Sequence, residues 1–267
     1  MTAILAIDFH YQIIVIADCR VSWDPPTYNP QDNLQKIYPH GPTGIIGFSG
    51  SVLAAKAVAS YMRDHTLGKP LPPSAADIVS DIRHDARTAY GRLKAANAGK
   101  LELMYAAPDY AKVSLAAPNV TFASNLMIKM ESPEFLPVAQ ADAIRLGYAV
   151  QYPMDDLRLN RDNLLNYGLT PEGRRFQVGI AIGAFAPALA RYAPTQVGGL
   201  FTVGVATATG HHWYPYGPID GYELAIRDAR FVQIDHNTGQ EVLLQTILEI
   251  DPNKPPRGGI TIDTPGI

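Results

Sequence analysis

The chain has 267 residues, 47% of them hydrophobic and 18% charged, with 22 Lys plus Arg against 25 Asp plus Glu for a net charge of -3. That apolar content supports a buried core and excludes disorder as the main state, while the slightly acidic balance argues against nucleic acid or an anionic membrane as a partner held by bulk charge. A single cysteine, Cys19, excludes an intramolecular disulfide and points to a reducing cytoplasm. No apolar run approaches the roughly 20 residues of a membrane helix, and no leader pattern opens the chain, so the expectation is a soluble, untargeted protein.

Residues 2–8 (TAILAID) and 12–18 (QIIVIAD) are short β-rich runs, apolar on both faces, with Phe9, His10 and Tyr11 between them for a tight turn. A turn centred on His10 sets Thr2 opposite Asp18 in an antiparallel pair. Residues 23–32 are too rich in proline and polar side chains for a regular element. Two further strands are expected over 36–39 and 44–49, with Gly41-Pro42 as turn chemistry between them. A helix follows over about 51–65, capped by Ser51, with Val52, Ala55, Val58, Ala59 and Met62 on one face. Ser74 and Asp77 form the capping-box pattern of a second helix, whose apolar side runs from Ile78 to Leu93 before Gly99 ends it.

Short β-like runs resume over 107–150. Thr170-Pro171-Glu172 then opens a helix reaching Arg191, which Pro187 is expected to kink or split into two. Gly198-Gly199 precedes an apolar strand (LFTVGVATA), a last β-rich tract lies over 222–250, and the segment from about 251 reads as an irregular tail. The order is strands, two helices, strands, two helices, strands. Strands apolar on both faces need cover on both, which gives an α+β fold built as a four-layer α-β-β-α sandwich, two antiparallel sheets between helix pairs. No linker or internal repeat divides it, so residues 1–267 are read as one domain.

Thr2 carries the first chemical possibility. Removal of Met1 would leave a threonine that holds both a nucleophile and, in its α-amine, a base that titrates near neutrality. Alone it is an ordinary second residue. Asp18 closes an apolar strand and Lys36 opens another, and a buried carboxylate needs a partner, so an Asp18 to Lys36 ion pair would explain both. Such a pair is equally readable as a structural salt bridge, although an ammonium beside Thr2 would also lower the amine's pKa. Gly50, between Ser49 and the start of a helix, could offer a backbone N–H to an oxyanion or simply serve a tight turn.

These residues together resemble the proteasome β-subunits and their bacterial relatives, which are N-terminal nucleophile hydrolases. The likeness rests on Thr2 before a short hairpin, the Asp-x-Arg segment Asp18-Cys19-Arg20, Lys36-Ile37 after an irregular loop, and Gly47-Phe48-Ser49-Gly50 leading into a helix. It implies Thr2 as nucleophile and base, Asp18 and Lys36 as the charged pair tuning its amine, Gly50 N–H as an oxyanion donor and Arg20 as support for the Asp18 loop. It also implies a peptide or small amide substrate, no cofactor or metal, and a homo-oligomer in rings or stacked rings, with any unfoldase partner left unidentified. Beyond the first third the pattern departs. Pro194 and Val197 stand where active members carry an aspartate and a serine, and Tyr148 stands where they carry a serine flanked by glycines. A non-catalytic structural subunit is therefore the competing expectation.

Other candidates are weaker. His211-His212 lacks a metal-site spacing and reads as an exposed loop, the glycines at 41, 44, 47 and 50 lack a following phosphate-binding motif, Cys19 reads as a space-filler, and Asn119-Val120-Thr121 is a sequon without consequence in a cytoplasm.

Overall fold

The two N-terminal runs form β1 (Ala3–Asp8) and β2 (Ile13–Asp18), an antiparallel pair in which Ile4 faces Ala17 and Asp8 faces Ile13. That register sets Ala3, and not Thr2, opposite Asp18, a shift of one residue from the expected pairing. The connection includes Gln12, and His10 sits in it at a φ of 66° with its N–H donated to the Asp8 carboxylate at 2.7 Å. Because both strands are apolar on both faces, the side-chain pattern does not choose between registers and the turn does. The computed structural model describes residues 2–21, 31–32, 34–66, 74–95, 98–108, 125–192, 197, 200–216, 222–227 and 230–250.

β3 (Arg20–Val21) and β4 (Gln31–Asp32) pair as a short ribbon. β5 (Ile37–His40) and β6 (Gly44–Gly50) follow, then α1 (Val52–Thr66) and α2 (Ala75–Gly91). Both caps expected from sequence form: Ser51 Oγ accepts the Ala54 N–H at 3.2 Å, and Ser74 Oγ accepts that of Asp77 at 3.1 Å. α2 stops at Gly91 rather than running to Gly99, and the chain re-enters a sheet as β7 (Leu101–Pro108), followed by β8 (Asn125–Glu131), β9 (Val138–Ala139) and β10 (Ala143–Gly147). The second helical region holds α3 (Met154–Leu164) and α4 (Pro171–Tyr192), and the chain continues through β11 (Phe201–Thr207), β12 (Gly210–Tyr216), β13 (Tyr222–Arg227), β14 (Arg230–Asp235) and β15 (Glu241–Leu243).

Three corrections concern this half. α4 runs unbroken past Pro187, because its buried face, including Phe185, Ala186 and Leu189, is packed and outweighs the one hydrogen bond that proline removes. The second helix of the pair is α3 instead. Its only buried side chains are Leu157, Arg161 and Leu164, an apolar stripe interrupted by an arginine, so its periodicity is faint in the sequence. His211 and His212 lie in β12 and not in a loop, with His211 Nδ1 3.1 Å from the Pro42 carbonyl oxygen. The sequon at 119–121 and the tail from 251 lie outside the described residues.

The fold is mixed α+β. Among the described residues there are four α-helices, two five-stranded antiparallel sheets ordered β10-β1-β2-β11-β12 and β5-β6-β7-β8-β9, and a three-stranded sheet β13-β14-β15, besides the β3-β4 ribbon. Strand alternation explains the doubly apolar runs. Leu5 and Ile7 of β1 pack with Val178, Ile182 and Phe185 of α4, whereas Ile4 and Ala6 pack with Ile37, Ile45 and Met104 of the other five-stranded sheet. That second sheet turns Phe48, Leu103 and Tyr105 toward Val58, Met62 and Ile82 of α1 and α2. Cys19 is fully buried with Leu224, Phe231 and Leu244, so it does fill space, beneath the third sheet. Among the described residues no helix is long and apolar enough to cross a membrane.

Candidate active site

Three chain segments meet at the start of β1. Asp18 ends β2 with its side chain fully enclosed, and Lys36, 3% exposed, lies just before β5. The Lys36 ammonium reaches Asp18 Oδ1 at 2.7 Å and donates as well to the Arg20 carbonyl oxygen at 2.6 Å. Asp18 Oδ1 also accepts the Ala3 N–H at 2.8 Å, and Oδ2 accepts the Arg20 N–H at 3.3 Å. An enclosed ion pair is tolerated when its remaining hydrogen-bonding capacity is met, and here the backbone groups of Ala3 and Arg20 meet it. Burial pushes the Asp18 carboxyl above its ordinary value, while the Lys36 charge and the Ala3 N–H pull it back. Arg20 meets the pair through its backbone N–H and carbonyl oxygen.

Thr2 is itself buried, 7% exposed, and lines a cleft of about 20 Å³ together with Lys36, Ser49 and Gly50. Its carbonyl oxygen accepts the Tyr148 N–H at 2.9 Å. Gly50 ends β6 at a φ of 107°, and a Cβ there would lie 2.2 Å from the Lys100 carbonyl oxygen, so the turn into α1 demands glycine whatever else its N–H does. The four sequence-identified residues Thr2, Asp18, Lys36 and Gly50 thus converge on one place. Thr2, Lys36 and the turn at Gly50 border a space large enough for about one water.

Two further groups escape a reading of the sequence. Glu102, 6% exposed, lies in β7 opposite Ser49, and its Oε2 accepts the Gly147 N–H at 2.9 Å. Burial opposes its charge, but the Gly147 N–H and the nearby Lys129 and Lys100 ammoniums outweigh it and hold the carboxyl below its ordinary value. Gly147 has a φ of 57°, and a Cβ added to it would stand 2.0 Å from the Thr2 carbonyl oxygen and 2.8 Å from Ser49 Oγ. Glu102 therefore holds the turn that holds Thr2. The signal was present: one carboxylate inside the apolar run LELMYAA poses the same burial problem as Asp18.

Of the positions where the family pattern departs, Tyr148 does reach the site, through its N–H to Thr2. Val197 is buried in the apolar cluster beneath α4. Pro194 and Met1 lie outside the described residues. Among the described residues no group of three or more His, Cys, Asp or Glu side chains has a metal-binding arrangement. No protein-family model matches the chain, and no curated protein matches it.

Proposed function

We propose that the chain is an N-terminal-threonine amidohydrolase, a proteasome-like peptidase that works through an acyl-enzyme on Thr2 once Met1 is removed. The observation that carries this reading is the enclosed Asp18 to Lys36 pair, at 2.7 Å, fixed to the backbone immediately beside Thr2. In the reaction, the freed Thr2 α-amine takes the hydroxyl proton as Oγ attacks the substrate amide carbonyl. The Lys36 charge disfavours protonation of that amine in the resting state, and the Gly50 N–H receives the tetrahedral oxyanion. The amine passes its proton to the leaving nitrogen, then deprotonates the water that cleaves the ester.

The same reading includes a four-layer α-β-β-α architecture, supported by the three apolar clusters that link helix to sheet, sheet to sheet and sheet to helix. It also includes a cytoplasmic homo-oligomer. Leu159 and Leu169, 64% and 66% exposed near the helical surface of α3 and α4, support subunit contacts there.

Incubation with a β-lactone or epoxyketone probe followed by intact-mass measurement tests the proposal. Loss of Met1 and an adduct that disappears in Thr2→Ala are expected. A retained Met1 with no adduct would refute it. A second reading, a non-catalytic subunit of a proteasome-like assembly, is favoured by the small cleft and by Tyr148 at the place of a helper serine, and that negative result is what it predicts.

A further inference from the structure

The cleft at Thr2 is not closed by the N-terminal elements alone. Residues 244–250, which follow β15, contribute Ile247 to its lining. Gln245 bridges Leu34 in parallel and its carbonyl oxygen accepts the Gln35 N–H at 3.0 Å. The Ile247 N–H donates to Tyr38 Oη at 2.8 Å, and Lys56 of α1 donates to the Ile250 carbonyl oxygen at 2.6 Å. These bonds set the Ile247 side chain, 5% exposed, against Phe48 and Ala55 at the wall of the cleft.

On the far side of that wall lies a second, larger space of about 260 Å³, whose walls include Ile46, Ala59 and Met62. Tyr38, Phe48 and Ile247 border both spaces. Tyr38 and Phe48 belong to the sheet and are held edge to face at 6.1 Å. Ile247 alone of the three is carried on a segment outside the two large sheets. With about 20 Å³ beside Thr2, the cleft has room for one water or one methyl group.

We infer that Ile247 is the specificity-determining wall of the Thr2 cleft, restricting it to amides whose acyl-side residue is no larger than alanine. The inference rests on Thr2 being the reacting residue. Of the three side chains between the two spaces, Ile247 is the one that can be shortened without altering the sheet, and while it is in place the cleft has no room for an apolar side chain as large as that of leucine. Shortening Ile247 joins the cleft to the 260 Å³ space, whose apolar lining then receives the larger group.

The test compares wild type, Ile247→Ala and Ile247→Val, each checked by thermal unfolding, against β-lactones bearing a methyl or an isobutyl group. Adduct formation at Thr2 is followed by intact mass. In parallel, binding of N-acetyl-alaninamide and N-acetyl-leucinamide is followed by ligand-observed NMR, which needs no reaction. Wild type should prefer the methyl probe by roughly 10-fold or more, with Ile247→Ala gaining at least about 10-fold toward the isobutyl probe and Ile247→Val falling between. Equal methyl-to-isobutyl ratios and equal amide binding in all three folded proteins would overturn the inference. Leucinamide binding gained in Ile247→Ala without any adduct in any of the proteins would uphold the wall and refute Thr2 as nucleophile.

Discussion

Replacing Lys36 by methionine removes the ammonium paired with Asp18 at 2.7 Å while keeping the volume of the stem. Asp18 has no exposed surface and retains the Ala3 and Arg20 N–H groups. Removing one partner of an enclosed ion pair generally costs about 3–5 kcal/mol. The carboxylate can escape by taking a proton, which at pH 7 costs about 4 kcal/mol for an ordinary aspartate and so caps the loss. With two N–H donors left in place, a loss of about 3 kcal/mol is expected, or a fall of about 6–12 °C in midpoint for a chain of this size. The pH dependence is specific. Burial raises the Asp18 carboxyl in the folded protein, and Lys36→Met raises it further. A group raised on folding favours the folded state below its unfolded value and loses that contribution as pH rises through the folded value. The deficit of Lys36→Met against wild type should therefore be largest near pH 7 and narrow as pH falls and the variant's unpaired carboxyl takes up a proton. Asp18→Asn combined with Lys36→Met should recover most of the stability without recovering Thr2 labelling, which separates a tuning role from a purely structural one. Chemical denaturation of all three proteins at pH 7 and pH 4.5 measures this. A deficit below 1 kcal/mol, or one of equal size at both pH values, would refute the reasoning.

Glu102→Gln keeps an acceptor for the Gly147 N–H but loses the charge that the two lysines stabilise, and should cost about 1–2 kcal/mol at neutral pH by denaturant titration. Because the Glu102 carboxyl is held low in the folded protein, its contribution is present above its unfolded value and disappears as pH falls through the folded one, so the variant's stability should decline less steeply below about pH 4.5. Gly147→Ala forces a Cβ against the Thr2 carbonyl oxygen at a φ of 57° and should lower the rate of probe adduct formation by at least about 10-fold, with a midpoint loss equivalent to about 2 kcal/mol.

How far the sequence reveals the fold depends on whether local chemistry and packing agree. The helix starts at Ser74 and Thr170 are marked by side chains that satisfy orphan N–H groups a few residues on, so they are legible residue by residue, and Thr170 Oγ1 does accept the Gly173 N–H at 3.0 Å. The course of α4 past Pro187 is not legible, since the local signal says break and the packed face of Phe185 and Leu189 decides otherwise. α3 is hidden for the opposite reason, because most of its surface faces water and its stripe is broken by Arg161. The hairpin register fails by one residue because two uniformly apolar strands contain no alternation from which to read it. What a chain does at a doubly covered sheet is fixed by turns and partners, not by hydrophobic pattern.

The candidate site is legible where burial and charge conflict. Asp18 and Lys36 are conspicuous because a charge inside an apolar run demands a partner, and they do find each other from 18 positions apart. Glu102 obeys the same logic and links the site to a third segment. Ile247 is invisible by this route, being an apolar residue whose meaning depends on where 244–250 lies. A fold that required only a buried ion pair would be served by Asp18, Lys36 and the Ala3 and Arg20 backbones. It would place no demand on residue 147, nor tie Glu102 to the turn over Thr2, yet a Cβ at residue 147 would stand 2.0 Å from the Thr2 carbonyl oxygen and Glu102 holds the Gly147 N–H. The constraints of Gly147 and Glu102 meet at Thr2, which lies outside β1 and whose carbonyl oxygen is held by the Tyr148 N–H. The role proposed for Thr2 gives that turn a reason which the ion pair alone does not supply.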